Sequence, residues 1–268
     1  MIVRIRVMHP LLIGVLLPLF FLHSGASGAE LVREFVSENA RQGVAVDADH
    51  LYVINNHCIE KRRKSDFELL ATWQCPKGEP LIHVNAGFVW EGRLYGAHSN
   101  YPEVPMESSV EIWDVATLEH VGSISLGIGM GSITWISRHE DQWWVGFAHY
   151  TGKGGEPDKT NAWTQVVVFD DQWKNTRGYT LPKAVLETFG TRSNSGGDWG
   201  PDGRLYLSGH DAAELYAMRL PEGGSKLLLD EVIPVPFEGQ AFTFDRQNPY
   251  HLYGIIRGKL QVVEVLLK

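Results

Sequence analysis

One segment recurs five times along this chain, and each copy ends in a turn carrying histidine or arginine: HLYVINNH, RLYGAHSN, QWWVGFAHY, RLYLSGHD and HLYGIIRG. Measured between Tyr52, Tyr95, Trp144, Tyr206 and Tyr253, the spacings are 43, 49, 62 and 47 residues. A four-stranded propeller blade has this period, and a repeat that cannot bury its apolar face alone must stack on its neighbours. Before each copy an apolar strand starts from small or polar-glycine residues: QGVAVD, NAGFVW, GSITWI, GGDWGPDG and GQAFTFD, beginning at Gln42, Asn85, Gly131, Gly196 and Gly239. After it come further apolar runs, SSVEIWDV, TQVVVFDD, ELYAMRL and KLQVVEVLL, with strand-like alternation or continuous apolar character.

The fifth repeat ends at Lys268 after three strands, while LVREFVSEN, Leu31 to Asn39, belongs to no blade. The expected fold is therefore all-β. Residues 30–268 should form a single five-bladed β-propeller, its ring closed by the N-terminal strand (31–39) pairing with the last blade. Closure of this kind removes exposed sheet edges.

Residues 1–29 have the pattern of a signal peptide: Arg4 and Arg6, an apolar stretch from Leu11 to Leu22, then the small-residue run HSGASGA. The apolar stretch is shorter than the roughly 20 residues that span a bilayer. The expected mature protein is secreted or periplasmic, free of the membrane after cleavage, and a monomer. Without the first 29 residues the chain keeps 22 basic and 32 acidic side chains, a net charge of −10 with histidine neutral. That balance argues against a nucleic-acid partner, which needs clustered Lys and Arg. The single basic run, Lys61 to Lys64, reads as a solvated turn. Cys58 and Cys75 are the only cysteines, and in an oxidising compartment they are expected to form a disulfide.

A five-bladed ring assigns each turn to one end of the channel. One end collects His57, His98, His149, His210 and Arg257, together with His83, Asn85, Ser132, Asn194, Asp198, Glu238 and Gln240. Three long segments, SNYPEVPMES, YTGKGGEPDKTNAW and PKAVLETFGTRSNS, wall the same mouth, and the last contains a short helical stretch. Imidazoles from several blades can converge on a divalent metal, so His98, His149 and His210 are the expected metal ligands, with Zn, Mn or Ca not distinguishable. Glu238 is the expected acid or base, with His57 and Arg257 as further catalytic candidates. Asn85, Asn100, Asn194, Asp198 and Gln240 are expected to bind substrate, and Trp163 and Trp199 to stack on it. Trp113, Trp135, Trp143, Trp144 and Trp173 fall within strands and are expected in the core. The opposite face has histidines of its own, His50, His139 and His251, in ordinary turns. GxxxxGK[ST], GxGxxG and GxSxG are absent, so neither a nucleotide cofactor nor a serine-hydrolase elbow is expected.

The segments LYGAHSNYPEVPMESSVEIWD, WWVGFAHYTGKGGEPDKTNAWTQVVVFDD, SNSGGDWGPDGRLYLSGHDAAE and EGQAFTFD resemble a family of exported bacterial five-bladed β-propeller proteins commonly labelled cycloisomerase. The resemblance covers roughly Leu31 to Val263 and implies a secreted propeller, without carrying over any residue role. Gln42-Gly43 and Glu238-Gly239-Gln240 are similar in kind to the inner-strand starts of plant-type glutaminyl cyclotransferase propellers, although NAG, GS and GG stand where further glutamate-glycine pairs belong. Five-bladed glycosidases place acids at several such starts; here Asp198 and Glu238 qualify. The function expected is that of an exported propeller enzyme acting on a small polar substrate, a carbohydrate or hydroxy acid, by metal-assisted lyase or cycloisomerase chemistry. The alternatives are a non-catalytic propeller binding a glycan or peptide and a glutaminyl cyclotransferase-like acyltransferase.

Overall fold

A computed structural model describes residues 28–268. The leader assigned to residues 1–29 lies almost wholly outside the described residues; its last residue, Ala29, opens the first strand. Twenty strands form five four-stranded antiparallel sheets. Blade one is β2 (Gly43–Val46), β3 (His50–Asn55), β4 (Cys58–Arg63) and β5 (Leu69–Gln74), and blade two is β6 (Val84–Trp90), β7 (Arg93–Ser99), β8 (Glu107–Asp114) and β9 (His120–Ile128). Blade three is β10 (Ser132–His139), β11 (Gln142–Ala148), β12 (Gln165–Phe169) and β13 (Asn175–Thr180). Blade four is β14 (Gly196–Trp199), β15 (Leu205–Ser208), β16 (Glu214–Arg219) and β17 (Leu228–Pro234).

Blade five closes the ring. Its strands β18 (Thr243–Phe244), β19 (His251–Ile256) and β20 (Gln261–Leu267) come from the C-terminus, and β1 (Ala29–Val36) supplies the outer edge. Pairing runs antiparallel from Ala29 with Leu267 to Val36 with Gln261. The expected strand thus forms, displaced toward the N-terminus. The expected helix also forms, as α1 (Lys183–Thr188) between blades three and four.

Burial decreases from the axis outward. Every residue of β2 and β14 is buried and β3, β11 and β19 are buried along their interiors, whereas β5, β9 and, apart from the buried Ile233, β17 alternate between exposed and partly covered positions. Inner blade surfaces pack on both sides, while an outer strand meets solvent on one, which accounts for the continuous apolar character of the former. Trp113, Trp135, Trp143 and Trp144 are all core residues. Crowding at the axis explains the glycines of the inner strands: a Cβ on Gly43 would stand 2.7 Å from Ala241 Cβ and 2.9 Å from the Asn85 carbonyl. At Gly196 it would stand 2.5 Å from Ser208 Oγ and 2.6 Å from the Gln240 carbonyl.

The two cysteines are free thiols, contrary to the expected disulfide. Register gives the reason. Cys58 lies opposite Gln74, and the Cys75 amide donates to the His57 carbonyl, so Cys75 belongs opposite His57. Adjacent residues of a strand face opposite sides, and the two sulfurs therefore point away from each other.

Candidate functional site at the mouth of the channel

All five blades contribute to a cavity of about 490 Å³ at one end of the axis. Inner-strand starts supply Gln42 from blade one, Asn85 and Thr134 from blades two and three, and Gln240 from blade five; each is buried and forms the floor. Turns and insertions supply the upper wall: Asn56, His83, Tyr101, Tyr150, Ser195 and His210. Arg192 and Arg257 stand exposed at the rim. The lining holds two guanidinium groups and no carboxylate, in a chain with a net charge of −8. Cavities of a few hundred Å³ with convergent polar groups suit small-molecule ligands.

The side chains are held by their neighbours. Gln42 Nε2 donates to Asn56 Oδ1 at 2.6 Å, and Gln240 Nε2 donates to the His210 main-chain carbonyl at 3.4 Å, while Ser208 Oγ fixes the Gln240 backbone by donating to its main-chain carbonyl at 2.6 Å. Asn85 Nδ2 donates to the Ile133 carbonyl at 2.8 Å, leaving Oδ1 to hydrogen-bond His83. Burial pushes His83 down to about 4, reinforced by the charges of His98, Arg257 and His57 and opposed by its bond to Asn85. His83 is therefore a neutral imidazole at physiological pH, and the Asn85 bond leaves one nitrogen to face a ligand. The rings of His83 and Tyr101 lie 5.2 Å apart, as do those of Tyr101 and Tyr150, forming an aromatic wall. Burial raises the Tyr150 hydroxyl well above its ordinary value, keeping it a neutral donor. Gly154, at φ +76°, lays the blade-three loop on this wall: a Cβ there would stand 2.4 Å from the Tyr101 ring. Opposite, His210 Nδ1 meets Asp211 Oδ1 at 2.5 Å. A carboxylate at Nδ1 fixes the tautomer and leaves Nε2 as the basic nitrogen.

Of the residues expected from sequence, Asn85, His210, Gln240 and Arg257 meet here, with His83. His57 and His98 line a different cavity, on the side of the ring between blades one and two. His149 is 1 % exposed, its Nδ1 3.7 Å from Glu156 Oε2, beneath Gly131. The expected ligand set of His98, His149 and His210 therefore does not form, and no group of three or more His, Cys, Asp or Glu is placed to hold a metal among the described residues. The cause is strand phase. His149 directly follows blade three's second strand and faces into the blade, and the next residue, Tyr150, faces the channel instead.

Other expectations resolve into structural roles. Asn194 is buried, accepting from Trp135 Nε1 and donating to the Gly196 and Ser208 carbonyls, both at 2.8 Å. Asp198 lies toward the opposite end of the channel, where it accepts from Ser137 Oγ at 2.5 Å, the Arg246 guanidinium at 2.6 Å and the Phe244 amide at 2.7 Å. Trp199 is buried and stacked on His139 at 3.9 Å. Trp163 is exposed, with the Lys159 ammonium 6.0 Å from its ring. Asn100 braces its own loop, donating to the Pro105 carbonyl and accepting from the Glu107 amide. Glu238 is exposed beside Gly258 and is not part of the channel lining. Tyr101, Tyr150, Arg192 and Ser195 come from the three segments expected to wall this mouth, although no motif in the sequence singles them out within those segments. The two tyrosines follow the turn histidines by three and one residues, and their proximity to those turns was the available clue.

No protein family model matches this chain, and no curated protein matches it. Similarity is found among solved structures. An aldose sugar dehydrogenase from Streptomyces coelicolor, solved in its PQQ-bound form, aligns with a TM-score of 0.56 at 10 % identity, over 90 % of this chain and 98 % of that one. A luciferin-regenerating enzyme gives 0.52 at 10 % identity, over 90 % and 95 %. A gluconolactonase from Xanthomonas campestris gives 0.50 at 14 % identity, over 84 % and 71 %. At these identities the likeness is one of fold: a β-propeller.

Proposed function

We propose that this protein is an exported propeller enzyme whose channel mouth takes a small anionic polyol, a hydroxy acid or sugar acid, and moves a proton next to its carboxylate. The observation that carries this reading is the pair Arg192 and Arg257 over a floor of neutral amides, with no acid in the lining. Guanidinium groups match carboxylate geometry and hold it in place. Gln42, Asn85 and Gln240 offer donors and acceptors for hydroxyl groups, and Tyr101 with Tyr150 gives the carbon skeleton a face to pack on. His210, with Asp211 at Nδ1, is the base. When Nε2 removes the proton from the carbon beside the carboxylate, the electron pair left behind spreads onto the carboxylate oxygens, where the two arginines stabilise it. Lyase and cycloisomerase reactions share this step. Two fold relatives are named for sugar or lactone chemistry, which sets the compounds to try first. Export rests on the N-terminal segment alone, and N-terminal sequencing of the protein from its native host tests it.

The test of catalysis is deuterium exchange. Aldonic and uronic acids incubated with the protein in D2O should lose the NMR signal of the proton beside the carboxylate, and His210→Gln should slow that loss at least about a hundredfold. Binding without exchange or turnover across the panel would leave a non-catalytic binding propeller, the rival reading, in its place.

A further inference from the structure

Arg192 stands at the rim of the channel mouth without a side-chain partner. Among the described residues its guanidinium makes no hydrogen bond and no ion pair, although its charge reaches the Tyr150 hydroxyl on the neighbouring wall. A long exposed side chain of this kind is aimed by the main chain that carries it, and any freedom left in that main chain is an ordering cost that a ligand must meet on binding. What holds the segment around Arg192 therefore sets how well the guanidinium meets a carboxylate.

That segment is the insertion between blades three and four, in which Gly190 and Arg192 follow α1. A helix of six residues has little stability of its own, and its last carbonyls have no partner within it. Gly190, at φ +61°, turns the chain out of the helix through the left-handed region. One side chain from the blade-three loop takes two carbonyls at this end. Asn161 Nδ2 donates one proton to the Leu186 carbonyl at 3.0 Å and the other to the Gly190 carbonyl at 2.9 Å. Asn161 is itself held in place, since its amide donates to Thr151 Oγ1 at 3.2 Å and the Thr151 amide donates to the Thr191 carbonyl at 3.0 Å. Just beyond Arg192, the buried hydroxyls of Thr164 and Ser193 share a hydrogen bond of 2.6 Å. Among these ties Asn161 alone reaches the stretch preceding Arg192 through a side chain, and it does so with both of its amide protons. Asn161 is not part of the mouth lining.

We infer that Asn161 is a positioning residue for Arg192: by bonding the Leu186 and Gly190 carbonyls it fixes the insertion to the blade-three loop and holds the guanidinium over the mouth, without touching the ligand. The inference rests on the carboxylate-binding reading of the mouth. It makes the blade-three loop, which carries Tyr150, and the insertion, which carries Arg192, one rigid wall.

A double-mutant cycle read by calorimetry with a six-carbon aldonic acid tests this. Asn161→Ala should weaken binding about fivefold, the worth of roughly one hydrogen bond. In the Arg192→Ala background it should weaken binding no further, and in the Arg257→Ala background it should again cost about fivefold, because residues that act through one another are not additive while independent ones are. A residue that only supports the fold would weaken both backgrounds alike. Without ligand, amide hydrogen exchange over residues 183–192 should speed up in Asn161→Ala and stay at the parent rate in Arg192→Ala. Gly190→Ala, which strains the left-handed residue on the other side of the tie, should weaken the acid as Asn161→Ala does. Asn161 is half-buried in a loop, so its loss leaves the propeller folded, which a melting curve verifies. Affinity unchanged by Arg192→Ala would overturn the carboxylate reading and this inference with it. Weakening by Arg192→Ala but not by Asn161→Ala, equal weakening by Asn161→Ala in both backgrounds, or unchanged exchange would overturn the positioning role alone.

Discussion

Replacing Asp198 by asparagine should destabilise the propeller strongly and leave the channel mouth working. Asp198 is 1 % exposed and joins three blades. Its Oδ1 accepts from Ser137 Oγ, Arg246 and its neighbour's amide, and its Oδ2 accepts from the Phe244 amide and, at 3.4 Å, from Thr243. Asparagine keeps the shape but turns one oxygen into a donor pointed at a donor, and removes the charge opposite Arg246. Hydrogen bonds to a charged group contribute about 1.5–3 kcal/mol each, and an unsatisfied buried donor costs about 1–3 kcal/mol. With one such bond lost and one buried donor stranded, the sum is about 2.5–6 kcal/mol. For a domain of this size the melting temperature should fall by roughly 10 °C. Urea unfolding and a thermal scan measure the loss, and calorimetry with the anionic ligand measures the site. A loss below about 1 kcal/mol would refute the argument that Asp198 ties the blades together. Intact stability with lost ligand affinity would restore it to the binding site.

Other consequences are open to simple assays. Gly43→Ala forces a methyl group against Ala241 and the Asn85 carbonyl, and should cost about 1–3 kcal/mol in urea unfolding. His83 is held at about 4 in the fold against an unfolded value of 6.5. Burial therefore sets a penalty of about 3 kcal/mol on protonating folded His83, absent above pH 6.5 and growing as pH falls toward 4, so His83→Gln should flatten the fall of melting temperature over that window. Labelling with a thiol reagent should modify Cys75 in the native protein, and Cys58 only on unfolding, because Cys58 is buried and pushed up to about 11. Intact mass showing a disulfide would contradict the strand register described above.

What the sequence made legible was what repeats. Tyr52, Tyr95, Trp144, Tyr206 and Tyr253 mark the second strand of each blade because every blade must bury the same inner surface. The orphan segment near Leu31 had one place to pair. The inner-strand starts were legible for the same reason, and they delivered Asn85 and Gln240 to the channel. Side-chain direction was the harder property. A phase difference of one residue separates Tyr150 in the wall from His149 in the core. His98, one blade away, turns sideways into the lateral cleft because its partner Ser109 lies on the neighbouring strand. Asp198 was assigned to the wrong end of its strand, since four residues of β14 take it from the mouth almost to the far side. The insertion carrying Arg192 was legible as a wall of the mouth, but Arg192 itself was not, because periodicity says nothing about which residue of a non-repeating segment faces the channel.

The central claim is that the channel mouth recognises a carboxylate through Arg192 and Arg257, and a matched pair of ligands tests it most directly. Calorimetry with a six-carbon aldonic acid and with the alditol of the same chain length differs only in the charged group. The acid should bind and the alditol should not, and Arg192→Ala and Arg257→Ala should each weaken the acid by about tenfold or more. Equal affinity for acid and alditol, or affinity for the acid untouched by both variants, would contradict it.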